Sequence, residues 1–392
     1  PGALSSSTGT RHIRPTCSLF SKYHKFCPSP ATKNLQAPAR INLHFSGKYD
    51  IILTKSSPSS PAVGRTGQGH ISQTEEHPMS KITIIGAGSV GATIANDMVT
   101  MGIATEIVLI DVKTEKARGE ALDIYQGITY CSPAIVRSGD YPDAAGSDIV
   151  IITSGIARRP GQTRLELIQT NAGIIRDIAP QIAKTAPEAL YIIVSNPVDV
   201  LTYIFHKVSG IPEKRIIGTG TTLDTARLQA ELARRFRISP QNIHAYVYGE
   251  HGDSSFVPWS LAYIANNPIN ELKETARENP LTDWNYDYDA MEEFVRTSGA
   301  RVIQAKGATF YAISISVCHI CKCILTGAGT ALTVSTMFHG EYGIDDVCMS
   351  TLSVVDREGV RYRIPNRLTE DEVARLRHSA ECLKAVIRQV AF

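Results

Sequence analysis

The sequence lacks any apolar run of the length a helix needs to cross a bilayer, so no membrane span is read from it. It also lacks a disulfide framework. Eight cysteines (Cys17, Cys27, Cys131, Cys318, Cys321, Cys323, Cys348 and Cys382) are scattered over 392 residues. Reduced thiols and a cytoplasmic setting are therefore expected. The segment Cys318 to Cys323 (CHICKC) offers metal-ligand chemistry but has no second ligand pair nearby. It lies within an apolar helical pattern, Ala312 to Leu325. Core packing is the expected role of these thiols, and no metal is expected.

Acids are scarce at one end only. Residues 1–78 hold nine of the 40 Lys and Arg but three of the 38 Asp and Glu, which leaves 31 basic against 35 acidic residues in 79–392. That mildly acidic body does not suggest nucleic-acid binding. Residues 1–78 are also rich in Ser, Pro and Gly and contain no methionine; the first is Met79. A targeting peptide is one reading of this stretch. Sequence upstream of a start at Met79 is the favoured one, because a strand follows two residues later. Most of residues 1–78 is expected to be disordered and not part of the fold.

What is present begins at Lys81. The apolar run Ile82 to Ile85 ends on Gly86, and Gly88 and Gly91 complete a G-x-G-x-x-G. An Ala-rich helical pattern, Ala92 to Met101, follows, then a second apolar run, Glu106 to Ile110, ending in Asp111. Strand, glycine turn, helix, strand and acid are the full context of a dinucleotide site. Gly86, Gly88, Ser89, Val90 and Gly91 would bring the turn and the helix N-terminus to a pyrophosphate. Asp111 can accept from both ribose hydroxyls and would repel a 2′-phosphate, so the cofactor read is NAD, not NADP. A ligand-free glycine turn is the bland alternative.

Lys113 to Gly127 reads as a helix, with Ala117, Ala121, Leu122 and Ile124 on one side. Ala134 to Val136, Asp148 to Thr153 and Ala189 to Ser195 read as strands. Near-continuous apolar strands alternating with helices imply an α/β fold with a doubly wound parallel sheet of the Rossmann type, with ligands at the carboxyl ends of the strands. Two such ends stand out. Ser154 to Arg164 (SGIARRPGQTR) carries three arginines in a Gly/Pro loop suited to closing on an anion, or is simply a solvated basic loop. Val194 to Asp199 (VSNPVD) ends a strand on Asn196, which is a cleft amide or a turn former. Farther on, Asp224 and Arg227 share a helix face opened near Thr221 or Thr222, where a surface ion pair is the bland alternative. Ile243 to Asp253 starts as a strand and ends on His251, which could act as general acid/base if Asp224 orients it.

Taken together these segments resemble the NAD-dependent L-lactate/malate dehydrogenase family over about residues 80–390, most closely its bacterial-type L-lactate members. The motifs are GAGSVG at 86–91, the arginine loop at 154–164, SNPVD at 195–199, LDTAR at 223–227, GEHGD at 249–253, KGAT at 306–309 and RHSAE at 377–381. The resemblance implies a Rossmann NAD-binding domain over 79–222 and a C-terminal α+β catalytic domain over 223–392. It implies hydride transfer from reduced nicotinamide to a 2-oxo acid. His251 would donate the proton, Asp224 would fix its tautomer, and Arg227 would fork onto the substrate carboxylate. Arg164 would polarise the carbonyl, Asn196 would bond the substrate oxygen, and Thr309 and Arg158 would face the substrate side chain.

Within that family the residues pull two ways. Arg158 is malate-like, since a buried cation suits a second carboxylate and not a methyl. GEHGD followed by Val257 to Ser260 (VPWS), Thr309 and Gly218 to Asp224 (GTGTTLD) is lactate-like. L-lactate dehydrogenase is the favoured reading, malate dehydrogenase the alternative, and an inactive NAD-binding protein the third. A homotetramer or dimer is implied. His244 matches a histidine used by sugar-bisphosphate-activated relatives, but Gln229 stands where they have arginine, so activation by fructose 1,6-bisphosphate is doubtful.

Overall fold

The computed structural model describes residues 80–156, 163–275 and 287–390. The extension 1–78 and Arg158 lie outside the described residues.

Branched apolar residues dominate the first strands, and both faces of the inner ones are covered. The strands are β1 (Lys81–Ile85), β2 (Glu106–Ile110), β3 (Ile135–Ser138), β4 (Ile149–Ile152), β5 (Leu190–Ile193) and β6 (Ile216–Gly218). They pair in parallel in the order β6-β5-β4-β1-β2-β3. Between them run α1 (Ser89–Thr100), α2 (Thr114–Gln126), α3 (Arg164–Thr185) and α4 (Val198–Ser209). Strand order reverses between β1 and β4, which opens a crevice at their carboxyl ends.

The second half begins with α5 (Thr222–Phe236). A small antiparallel sheet follows, made of β7 (Ile243–His244), β8 (Tyr263–Ile264) and β9 (Asn267–Pro268). Then come α6 (Ile269–Thr275), α7 (Tyr288–Lys306) and α8 (Tyr311–Thr326). Strands β10 (Thr330–His339), β11 (Asp345–Asp356) and β12 (Gly359–Arg363) precede α9 (Glu370–Ile387). β10 pairs antiparallel with β6, so the second half extends the first sheet to nine strands. The expected division at 222/223 is thus no break in the sheet.

Alternation along each strand makes two cores. Ile85, Val108, Val150, Ile152 and Ile193 pack with α3 and α4 on one face. Ile82, Ile84, Ile107, Leu109 and Ile151 pack with α1 and α8 on the other. Cys318 and Cys321 of α8 are fully buried in that second core, and Cys323 nearly so, as packing thiols should be. Burial pushes the Cys318 thiol up to about 12, far from a reactive thiolate.

Two expectations need correction. Leu122 does not join Ala117 and Ala121 on the buried side of α2; it is exposed, because one residue past Ala121 turns the side chain about 100° away. The strand expected from Ile243 to His251 stops at His244. Beyond it the chain makes only single bridges, Tyr248 to Phe256 and Gly249 to Ser350, and Gly249 turns it with φ +93°.

The glycine turn explains its own composition. A Cβ on Gly91 would stand 1.9 Å from the carbonyl oxygen of Gly86. Helix α1 can sit on β1 only without it. Replacing Gly91 with Ala is expected to lower stability by about 3 kcal/mol, at the upper end for overpacking. Urea unfolding measures this; an unchanged midpoint would contradict it.

Candidate active site

The carboxyl ends of β4, β5 and β6, the start of α1 and the inner faces of α5 and α7 line a cleft of about 540 Å³. Val90, Asn196, Asp224, Arg227, His251 and Thr309 all line it. Residues expected from separate motifs therefore meet in one place. Of the other expected residues, Arg158 lies outside the described residues, as does the side chain of Arg164. The backbone of Arg164 opens α3, behind a Thr163–Glu166 capping box.

Asp224 is carried by the first turns of α5, which several buried bonds pin. Thr221 N–H donates to Ser350 Oγ at 3.0 Å, Thr221 Oγ1 donates to the Val247 carbonyl at 2.5 Å, and Val247 N–H donates to Thr225 Oγ1 at 3.0 Å. Asp224 is 5% exposed and works in two directions. Its Oδ2 lies 2.5 Å from His251 Nδ1, and its Oδ1 accepts from Arg227 Nη1 at 2.9 Å. The Asp224–Arg227 pair is thus a cleft feature and not a solvated surface pair.

His251 is held from behind. Gly249 exchanges both backbone bonds with Ser350 of β11, each 3.0 Å. Ser379 of α9, within the RHSAE segment, accepts from Glu250 N–H at 2.8 Å. Asp199 Oδ2 accepts from His251 N–H at 2.7 Å. With Nδ1 engaged by Asp224, Nε2 is the ring nitrogen left for a ligand in the cleft.

The electrostatics follow. The Asp224 carboxylate pushes His251 up to about 9, against the opposing effect of burial. Burial disfavours charge on Asp224, but His251 and Arg227 together outweigh it and hold its carboxyl below the usual range. A raised histidine contributes stability that is full below its unfolded value near 6.5 and is lost as pH rises through about 9.

The glycine turn fits a dinucleotide. The space where a Gly88 side chain would point is open for 4 Å, so nothing bars a phosphate from the backbone there. α1 starts at Ser89, has no acid in its first turn, and presents the N–H groups of Ser89, Val90 and Gly91 at its positive end. Asp111, just past β2, accepts from Ala87 N–H at 2.7 Å and from Lys113 N–H at 2.9 Å. These bonds tie the acid to the glycine turn and leave lone pairs for ribose hydroxyls.

Asn171 and Arg296 line the cleft and Asp199 lies behind it, and the sequence announced none of these placements. Asn171 of α3 accepts from Ile156 N–H at 2.9 Å and donates to the Asn196 carbonyl at 2.8 Å, bracing two strand ends at once. Arg296 of α7 lines the cleft and donates to the Ser255 carbonyl at 3.1 Å and to Glu292 at 3.2 Å. Gln229 donates to the Ala245 carbonyl at 3.1 Å, while His244 is exposed on β7. Among the described residues no group of three or more His, Cys, Asp or Glu is placed to hold a metal ion, and no helix is long and apolar enough to cross a membrane.

Residues 80–218 match the family described as lactate/malate dehydrogenase, NAD binding domain. Residues 221–392 match lactate/malate dehydrogenase, alpha/beta C-terminal domain. The chain belongs to the lactate/malate dehydrogenase family. L-lactate dehydrogenase 1 of Clostridium acetobutylicum is 45% identical over 305 residues, covering 78% of this chain and 96% of that relative. L-lactate dehydrogenase of Thermoanaerobacter pseudethanolicus is 42% identical over 312 residues, covering 80% and 99%. Among lactate/malate dehydrogenase structures, the ligand-bound crystal structure of minor L-lactate dehydrogenase from Enterococcus mundtii superposes with a TM-score of 0.76. It shares 38% identity and covers 80% of this chain and 99% of that one.

Proposed function

We propose that the protein is an L-lactate dehydrogenase that interconverts pyruvate and L-lactate with NAD. The observation that carries this reading is the convergence of His251, Asp224 and Arg227 in one cleft, beside a glycine turn that fits the cofactor. In this reading residues 79–222 hold NAD and residues 223–392 supply most of the groups that meet the substrate. NADH, when bound, supplies the hydride that reaches the carbonyl carbon.

The chain's own residues do the rest. Arg227 offers its free guanidinium edge to the substrate carboxylate, while Nη1 stays on Asp224. His251, protonated at neutral pH, gives its Nε2 proton to the carbonyl oxygen, which becomes the lactate hydroxyl. The neutral ring keeps its Nδ1 proton on Asp224 and regains a proton from solvent. In the reverse direction the neutral Nε2 takes the hydroxyl proton. Asn196, exposed into the cleft, donates to the substrate oxygen, and Thr309 bounds the side-chain space. Arg164 polarises the carbonyl from the start of α3.

Arg158 favours the second reading, malate dehydrogenase, because a cation facing the substrate side chain suits a second carboxylate. An inactive NAD-binding protein has no use for His251, Asp224 and Arg227 together. The test of activity is NADH oxidation with pyruvate and NAD reduction with L-lactate against D-lactate. Turnover of pyruvate and of the L isomer alone is expected; no turnover of either would sink the proposal.

The proposed setting is the cytoplasm, where thiols stay reduced. A homotetramer or dimer is proposed, in keeping with Leu122, Tyr125, Tyr130 and Ile135, which expose apolar surface around α2 and β3. Gln229 supplies no charge for a phosphate, so fructose 1,6-bisphosphate is expected to leave the pyruvate KM unchanged within about twofold. A large titratable fall in KM would contradict that.

A further inference from the structure

Asp199 is buried behind the cleft, on the main chain of His251, and the reaction as described does not use it. It sits in the first turn of α4, three residues after Asn196, and is 2% exposed. One oxygen accepts the main-chain N–H of His251, 52 residues away in sequence, at 2.7 Å. The other oxygen is buried without a hydrogen-bond partner, and so is the hydroxyl of Ser335 on β10, which also bears on this carboxylate. A buried carboxylate with half its bonding capacity unused is costly, and a helix N-terminus only partly offsets that. Its charge has a neighbour that gains from it.

We infer that Asp199 is a positioning residue for His251: it fixes the backbone of the histidine, and its negative charge favours the protonated ring. His251 is then flanked by two buried carboxylates, Asp224 on the ring and Asp199 on the main chain. The inference rests on His251 being the proton carrier.

Among the described residues these charges act on the pair. Asp224 and Asp199 both favour the protonated ring and Arg227 opposes it. Burial pushes Asp199 up to about 6; His251 lowers it and Glu250 raises it. The Cys348 thiol of β11 is held well above its usual range, first by burial and next by Asp199, so it stays neutral. Asp199 is therefore ionised between about pH 6 and about pH 9, where the ring is still protonated. Over that window two carboxylates and Arg227 balance one imidazolium.

The test is the pH dependence of kcat/KM in both directions for the parent enzyme, Asp199→Asn and Asp199→Ala. Asn keeps an oxygen for the His251 N–H and removes only the charge. Asp199→Asn is expected to move the alkaline limb of pyruvate reduction and the acid limb of lactate oxidation to lower pH together, by about one unit. Asp199→Ala, which loses the tether as well, is expected to lower kcat at least about tenfold at every pH while NADH affinity stays within about threefold. A merely structural role would lower rates without moving both limbs in the same sense. If Asp199→Asn does not fold, Asp199→Ala removes the same charge, and a shift of both limbs in the same direction is expected. Limbs that superimpose on the parent's, in whichever variant folds, overturn the inference. A parent enzyme without a histidine limb would instead overturn the role of His251.

Discussion

Replacing His251 with Asn lowers kcat for pyruvate reduction by about 10³-fold and leaves NADH binding within about twofold, because general acid catalysis is lost and the dinucleotide turn is untouched. Asn can still accept or donate a hydrogen bond in the cleft, but it cannot carry a proton at neutral pH. The dinucleotide turn from Gly86 to Gly91 lies on other elements, α1 and β1, which explains the split between binding and turnover. The parent profile carries the same information. Reduction needs the protonated ring, so kcat/KM should hold through neutrality and fall as pH rises through about 9. Oxidation needs the neutral ring, so it should rise over the same range. Steady-state rates and NADH fluorescence titration measure both. Turnover equal to the parent's would remove His251 from the chemistry.

Replacing Arg227 with Lys lowers kcat/KM for pyruvate by about 10²–10³-fold, mostly through KM, as expected when a charged pair with a carboxylate loses its planar fork. The structure adds a second consequence. Arg227 also donates to Asp224 Oδ1, and its charge opposes protonation of His251. A lysine that fails to reach Asp224 leaves the carboxylate with less compensation, so the histidine limb should move to higher pH. Arg227→Lys and Asp199→Asn are thus expected to shift the same limb in opposite directions. A loss confined to kcat, with KM unchanged, would speak against carboxylate binding by this residue.

The first half of the fold was legible because its signals are local. Ile82 to Ile85, Gly86 to Gly91 and Asp111 lie within 30 residues, and β1 and β2 are buried on both faces. The candidate set was legible in its parts: Asp224 and Arg227 also read as a surface ion pair and His251 only as a conditional acid/base, and their meeting in one cleft favours the joint reading. Asn171 and Asp199 were invisible because their partners are distant. Asn171 braces loops 15 and 25 residues away, and Asp199 reaches 52 residues, with no periodicity to announce either. The hairpin of β10 and β11 was also missed. Its hydroxyl-rich residues, such as Thr333, Ser335, Ser350 and Ser353, do not read as core, yet all are buried, and Thr333 bonds to α5. The strand expected through to His251 ends at His244, and the chain turns at Gly249 before it reaches His251.

A lactate-type cleft is expected to reduce pyruvate despite Arg158. The most direct test compares kcat/KM for pyruvate and oxaloacetate in NADH oxidation by the full chain. Pyruvate is expected to be preferred. A preference for oxaloacetate of about 100-fold, equivalent to about 2.7 kcal/mol of transition-state binding, would contradict it and make the enzyme a malate dehydrogenase.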